Sequence, residues 1–424
     1  MQTQQIPLTP LLGEKHIDGY QVENGVYCHS AENVHINPQG TISTRPAWQK
    51  VADGEFKDLY YSKRHNRLFF TLNGILNTVS IDLSKLVTTQ PLDYKGIFTL
   101  GNQFGNQFGN QFQAIDDKPT NEPIFYAELP TQEIIISKGN NILTYNGTEL
   151  KAYTKDAPPQ PFIIKRDTGS VLKGTYHIGI SYIYSGGKET ALSPLASIQA
   201  SDHARLTIHL SGTNDSDIAF IRLYMTEPNG GELRKVADYA SDTQEIDLSV
   251  NPPTLGRLCE FQHKSPMTGG SFLQVAHSRL YVAQSNRLIW SETMAYHLTD
   301  ERHNWLALPE EITFIVAVNG GLWIGQRTGI LFLSGVNPAE WQIRKTAALA
   351  PIAGSATLAD NSTLPSELTQ GGACAVWLSS NGYNIGTAGG ELISPQSAVL
   401  NRITGDMGNT VACGKRLYTS VQAA

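Results

Sequence analysis

The chain has 424 residues, a formal net charge of −6, and 17% charged against 40% hydrophobic residues. That balance is too apolar for a disordered chain, and its mild acidity lacks the basic face a sequence-specific nucleic-acid binder needs. No apolar run approaches the roughly 18–20 residues that cross a bilayer, so no membrane-spanning segment is expected.

Residues 1–23 read as an N-terminal arm. Their opening, MQTQQIPLTPLLGEKH, lacks the basic-then-apolar order of a signal peptide, so synthesis and initial use on the cytoplasmic side are expected. The next stretch, NGVYCHSAENVHINPQGTISTRPAWQKV (24–51), predicts a small hairpin. Val34 and Ile36 alternate as a strand, Pro38-Gln39-Gly40 turns, Ile42 starts the return, and Pro46 ends it because proline cannot donate to a ladder. Arg45 is expected to pin this turn through a carboxylate or backbone carbonyls rather than to contact substrate or DNA.

One pattern then recurs: a short apolar strand, a polar turn, and a second strand. It appears at 65–80 (HNRLFFTLNGILNTVS), 277–292 (HSRLYVAQSNRLIWSE) and 319–334 (NGGLWIGQRTGILFLS), with weaker copies at 134–147, 375–388 and 414–421. Asn73-Gly74 and Asn146-Gly147 suit tight hairpin turns because both residue types tolerate positive φ. His277 and Asn319 lie 42 residues apart, within the roughly 40–50 residues of a four-stranded propeller blade. An isolated hairpin cannot bury its apolar face, so such units are expected to stack radially. About five blades are legible, and the strand near 415–421 is expected to complete a blade begun by the N-terminal region.

Two segments break the pattern. Residues 101–112 are a tandem GNQF repeat that places Phe104, Phe108 and Phe112 four apart. It reads as an expanded blade loop, with an aromatic loop at a partner surface as the sharper alternative. Residues 158–253 carry six or seven short alternating strands, with Tyr176, Ile178, Ile180, Tyr182 and Tyr184 on one face and Leu206, Ile208 and Leu210 on another. This predicts an immunoglobulin- or fibronectin-III-like sandwich, bordered by Pro158-Pro159 and Pro252-Pro253. The expected architecture is all-β: a β-propeller in two parts, 24–157 and 254–424, interrupted by the inserted β-sandwich at 158–253.

Chemistry is hard to find. HExxH, the phosphate-binding glycine loop and the G-x-S-x-G elbow are absent, so no catalytic, cofactor-binding or metal residue is expected. His29 and His35 are six apart but fall on separate elements. Asp116-Asp117, Asp300-Glu301 and Glu310-Glu311 are adjacent carboxylates that point to opposite sides of a strand, and they read as solvated charge. Ser379-Ser380-Asn381-Gly382-Tyr383 approaches a sialidase Asp box only loosely and reads as a turn. The basic run Lys63-Arg64-His65-Asn66-Arg67 reads as a solvated edge that blocks strand addition, with phosphate contact as the alternative. Cys28, Cys259, Cys374 and Cys413 are far apart and read as small buried hydrophobes in a reducing compartment. The N-x-S/T triplets at Asn146, Asn214 and Asn361 read as chance matches.

The stretch 24–51 resembles the N-terminal region of tail hub, nozzle and packaged-DNA-stabilisation proteins of tailed bacteriophages. The matching positions are Ala31, Asn33, Val34, Ile36, Gly40, Arg45, Pro46 and Val51, with Ala47 where the family usually has Gly. AVWLSSNGYNIGTAGGELISP (375–395) is similar to blades near the C-terminus of those proteins. The resemblance implies a structural, non-enzymatic virion protein of the tail or neck, assembled in the bacterial cytoplasm. Asn33, Gly40, Arg45 and Pro46 would be structural positions of the motif. The implied partners are copies of itself in a ring, commonly a hexamer, portal or head-tail adaptor proteins, tail fibres or spikes, and packaged double-stranded DNA. An acidic lumen would let that DNA pass without sequence-specific contact. Two rivals remain: a carbohydrate- or receptor-binding propeller adhesin, and a propeller glycoside hydrolase. Of Trp290, Trp305, Trp323, Trp341 and Trp377, most read as core.

Overall fold

The computed structural model describes residues 56–62, 64–80, 112–116, 118–252, 254–369, 372–398, 400–413 and 416–422, together with the backbone of four strands within 11–44. Among these, the only helical elements are the turns Pro338–Glu340 and Ser366–Thr369. The protein is all-β and built from many separate, mostly antiparallel sheets, none of which closes into a barrel.

Five of the sheets are four-stranded meanders. Sheet I comprises Phe56–Ser62, Arg67–Leu72, Ile75–Ser80 and Gln113–Ala114; sheet II comprises Ile124–Glu128, Ile134–Lys138, Asn141–Tyr145 and Leu150–Ala152. Sheet III comprises Ser271–Ala276, Arg279–Gln284, Arg287–Trp290 and Trp305–Ala307. Sheet IV comprises Ile312–Val318, Gly321–Gln326, Ile330–Ser334 and Gln342–Lys345, and sheet V comprises Thr357–Ala359, Cys374–Ser379, Gly382–Gly386 and Leu392–Ile393. A two-stranded sheet VI, Met407–Cys413 with Arg416–Gln422, follows. The five longer sequence repeats all fall on the middle hairpin of a meander. In sheet I the turn is Asn73-Gly74, with φ of 51° and 80°, the positive values that a two-residue type I′ turn demands.

Alternation along the middle strands explains their nearly continuous apolar runs. Ile134 and Ile136 join Phe69 and Leu76 of sheet I in one core, whereas Ile135 between them joins Leu280 and Val282 of sheet III in another. Leu322 and Ile324 pack on Tyr281 and Leu288, while Trp323 packs on Trp377. Val376 and Cys374 face Ala412 and Leu417 of sheet VI. Successive side chains point to opposite faces of a strand, so a sheet with neighbours on both sides needs apolar residues at every position. Among the sidechains described, Cys259 and Cys374 are buried free thiols, in keeping with their reading as small core hydrophobes.

The first strands of the sheets adjoin one another in chain order. Phe56–Ser62 neighbours Ile124–Glu128, which neighbours Ser271–Ala276, then Ile312–Val318, then Thr357–Ala359, then Met407–Cys413. The last junction is made by Gly408 N–H donating to the carbonyl of Ala353 (2.8 Å) and Thr410 Oγ1 donating to that of Ser355 (2.5 Å). Asn409 Nδ2 then reaches the carbonyl of Leu59 in sheet I at 3.4 Å, across 350 residues of sequence.

Between sheets II and III the chain forms a seven-stranded unit of two sheets. Phe162–Val171, Ala204–His209 and Glu245–Leu248 make one; Ala196–Ala200, Gly174–Tyr184, Ile218–Met225 and Arg234–Ala240 make the other. Tyr176, Ile178 and Ile180 meet Leu206, Ile208 and Leu210 in a shared core, with Tyr182 packed at its margin. The alternation read from the sequence places these residues correctly. Tyr184 departs from it: its hydroxyl leaves the core to accept from the backbone N–H of Lys155 at 3.0 Å.

The motif positions Asn33, Gly40, Arg45 and Pro46 lie outside the described residues. The strands around them, Val34–Ile36 and Ile42–Thr44, pair antiparallel as the sequence predicts. Residues 101–111 of the GNQF repeat also lie outside the described residues. Phe112 does not: its ring meets Phe70 edge-on at 5.1 Å and Phe56 at 6.0 Å, on one face of sheet I.

Candidate functional site at the junction of the two units

A dense polar network lies where the seven-stranded unit joins the meander sheets. Its centre is Glu189, which follows the strand Gly174–Tyr184 and is 4% exposed. Oε1 accepts from Ser181 Oγ and from Tyr224 OH, both at 2.6 Å. Oε2 faces Arg222 at 2.5 Å and Arg257 at 3.3 Å. Arg222 also forks onto Asp238 at 2.7 and 3.0 Å, the bidentate geometry that a planar guanidinium favours.

Burial of the Glu189 carboxylate and the Arg222 guanidinium is costly unless every donor and acceptor is paired. Here the strand register supplies the pairing, because Arg222 sits opposite Ser181 in one strand pair and opposite Asp238 in the next. The hydrogen bond from Arg222 holds the Asp238 carboxyl below the usual carboxylate range. Burial, reinforced by the Glu189 carboxylate, pushes the Tyr224 phenol upward, so it remains a donor. Three of the four contacts to the Glu189 carboxylate are short, at 2.5 to 2.6 Å. The arrangement is suited to clamping strands together.

The backbone of Glu189 makes the connection outward. Its carbonyl accepts from Nε2 of His297, which is 5% exposed and lies just before the short strand Leu298–Thr299, at 2.9 Å. Tyr184 and Tyr153 present ring edges to the imidazole at 5.8 and 6.5 Å. Lys188 Nζ lies 4.7 Å from the centre of the Tyr153 ring and 3.5 Å from Glu133 of the turn between the first two strands of sheet II. Burial lowers the His297 pKa, with the nearby Lys188 charge acting in the same direction and the Glu189 carbonyl opposing it. Burial raises Tyr184 to about 12.

Two further ties flank this centre. Lys155 pairs with Asp215 (2.5 Å) and Asp217 (3.2 Å), and Lys151 pairs with Asp217 at 3.3 Å. On the other side, Leu192 and Tyr224 bury against Leu233 and Cys259, with Phe261 packed alongside. The unit is thus held at both of its chain connections as well as through Glu189.

Several charges expected to be solvated are structural instead. Asp300 is 5% exposed and pairs with Arg302 (2.9 Å) and Lys264 (3.5 Å), and the Arg302 hydrogen bond drives its pKa well below the ordinary range. Asp116 pairs with Lys138 at 2.8 Å. The basic run also differs from its expected role as a solvated edge. Arg64 donates to the Leu129 carbonyl at 3.0 Å and His65 Nε2 to the Gln132 carbonyl at 2.6 Å, which lashes sheet I to the turn of sheet II. Sequence spacing could not reveal most of these roles, because Lys264, Lys138, Leu129 and Gln132 lie tens of residues from their partners; Arg302, two residues from Asp300, is the exception. Among the described residues, no three His, Cys, Asp or Glu side chains gather at a metal-binding spacing.

Trp323 and Trp377 are fully buried with ring centres 5.4 Å apart, and Trp290 is nearly so. Trp305 is the exception at 41% exposed, with the Arg287 guanidinium 4.9 Å from its ring centre.

No known family model matches the chain. No curated protein matches it either. Solved structures that align with it include the AfRom2 CNH domain, 12% identical over 88% of this chain and 94% of that one, with a TM-score of 0.30. KlHsv2 with loop 6CD replaced by a Gly-Ser linker is 8% identical over 87% and 90%, at 0.33. The extracellular domain of the putative one component system BT4673 from B. thetaiotaomicron is 10% identical over 90% of this chain and 60% of that one, at 0.20. At these scores the likenesses carry no argument about fold or role.

Proposed function

We propose that the chain is a six-bladed β-propeller interrupted by an inserted immunoglobulin-like sandwich, and that it serves as a structural tail hub or nozzle subunit of a tailed bacteriophage. The observation that carries the architecture is the ordered succession of first strands, ending in the Asn409-to-Leu59 hydrogen bond that brings the last sheet back to the first. Sheets with apolar residues on both faces gain most by radial stacking, which leaves no sheet face open. A 3 + 4 division of seven strands over one core is the layout of an immunoglobulin-type sandwich.

The reading as a virion component rests on the resemblance of residues 24–51 and 375–395 to the phage proteins. The buried junction supports it physically. A wedge with an appended unit fixed through Glu189 and His297 transmits load between neighbours instead of swinging on a linker. Copies arranged as a ring, commonly a hexamer, would extend the DNA channel beneath the portal and adaptor, retain packaged DNA and anchor fibres or spikes. No catalytic role is part of this proposal. Sedimentation of the purified chain with a portal–adaptor complex from the same genome tests it. Co-sedimentation in a fixed multiple supports the reading, and absence of any binding over a range of salt overturns it.

One observation favours a second reading, a carbohydrate- or receptor-binding propeller adhesin. Trp305 is 41% exposed with the Arg287 guanidinium over its ring, and an exposed aromatic with a polar neighbour suits a sugar ring. A glycan array distinguishes the two: saturable binding abolished by Trp305→Ala would favour the adhesin.

A further inference from the structure

We propose that Asn146-Gly147 is a self-deamidation site, in which three donors around the Asn146 side-chain oxygen act as an oxyanion hole for ring closure by the Gly147 nitrogen. The reaction needs only the chain and water. A base takes the Gly147 amide proton and the nitrogen bonds to Cγ of Asn146. The bond from Cγ to Nδ2 then breaks, and Nδ2 leaves with a proton as ammonia. Water opens the resulting succinimide at either carbonyl, giving aspartate or isoaspartate at position 146. Glycine as the following residue leaves the attacking nitrogen unshielded.

Asn-Gly occurs six times in the chain, at Asn24, Asn73, Asn146, Asn229, Asn319 and Asn381. Asn24 lies outside the described residues. Four of the others are held back by their surroundings. The Gly230 N–H already donates to the Glu227 carbonyl at 2.9 Å. Asn381 is buried and accepts from Asn384 Nδ2 at 3.0 Å. Gly74 and Gly320 are backed by main chain, with the carbonyls of Thr120 and Ala388 standing where a side chain would begin.

Asn146 differs on each count. It is exposed, in the turn between Asn141–Tyr145 and Leu150–Ala152 of sheet II. Nothing beyond its chain neighbours lies within 4 Å of where a side chain would begin on Gly147. Among the described residues, no carbonyl accepts from the Gly147 N–H. Oδ1 of Asn146 accepts from the Thr148 N–H at 3.0 Å, from Thr148 Oγ1 at 2.9 Å and from the Glu149 N–H at 3.1 Å. These bonds fold the side chain forward over the turn. They also set three donors on the atom that turns negative as Cγ becomes tetrahedral, and donors fixed in advance need no reorganisation at that step. The product places a new carboxylate near Lys151, which pairs with Glu149 at 2.9 Å and with Asp217 of the seven-stranded unit at 3.3 Å. Deamidation therefore adds charge beside one of the ties that flank the junction.

Peptide mapping of the full chain aged at pH 8, with isoaspartate resolved from aspartate, tests this. In the folded chain Asn146 should convert at least about tenfold faster than Asn73, Asn229, Asn319 and Asn381. In denaturant, where local sequence alone acts, the five rates should converge. Thr148→Val removes one donor and should slow Asn146 roughly three- to tenfold in the folded chain without altering its denatured rate. Thr148→Ser keeps the hydroxyl and should keep the rate. A folded-state rate at Asn146 no higher than at the other four overturns the assignment, as does a lead that persists undiminished in denaturant. A folded-state rate that Thr148→Val leaves unchanged or raises overturns it as well.

Discussion

Nε2 of His297 donates to the main-chain carbonyl of Glu189 across 2.9 Å and 108 residues of sequence. A carbonyl can only accept, so the proton of the neutral imidazole sits on Nε2. One buried hydrogen bond thereby couples sheet III to the residue whose carboxylate organises the seven-stranded unit.

That coupling predicts a pH dependence. The folded-state pKa of His297 lies below its ordinary value, so the unfolded chain binds the proton more readily. Stability is then fully present above the unfolded value of about 6.5 and declines as pH falls through it toward the depressed folded value. Denaturant midpoints should drop between pH 7 and 5, and His297→Gln should flatten that part of the profile. A profile unaltered by the substitution would assign the acid sensitivity elsewhere.

Removing the Glu189 carboxylate should cost far more than removing a surface charge. Glu189→Ala leaves Tyr224, Ser181 and Arg257 without their acceptor and Arg222 with Asp238 alone. Breaking one side of a buried pair typically costs about 3–5 kcal/mol. Equilibrium unfolding of the variant should show a loss of that order, whereas Arg234→Ala, whose partner Glu232 is exposed, should stay within about 0.5 kcal/mol of the parent.

The meander cores make an independent prediction. Trp377 stacks on Trp323 and Phe314 with ring centres 5.4 and 5.5 Å apart, and it is fully buried. Trp377→Ala should destabilise by about 3–5 kcal/mol through the cavity it leaves. Calorimetry of the variant, with intact far-ultraviolet circular dichroism as a control, reads that loss.

Arg64 separates a structural from a phosphate-binding role for the basic run. Its hydrogen bond to the Leu129 carbonyl should contribute about 1–2 kcal/mol of stability. Arg64→Gln should lower the unfolding midpoint and leave the salt dependence of any DNA association unchanged. A reduced salt slope would instead place Arg64 on phosphate.

The sheets were legible in the sequence to the extent that they repeat. Middle hairpins carry alternating apolar residues and turn residues such as Asn73-Gly74, and these are local signals. The outer strands Gln113–Ala114 and Leu392–Ile393 are two residues long, the first exposed and the second only partly buried, so they leave no pattern to read. The junction was invisible for a different reason. Glu189, Arg222, Arg257 and His297 come from four separate stretches, and only the strand register brings them together. Asp116 looked solvated because its partner Lys138 lies 22 residues on, whereas the pairing of Asp300 with Arg302, two residues away, was open to a local reading.

Single-particle cryo-electron microscopy of the chain assembled with the portal–adaptor complex tests the central claim most directly. The account predicts several copies around a continuous channel, each with six sheets in a ring and the seven-stranded unit held rigidly at Glu189 and His297. Copies bound singly with no channel, or sheets I and VI lying apart, would contradict it.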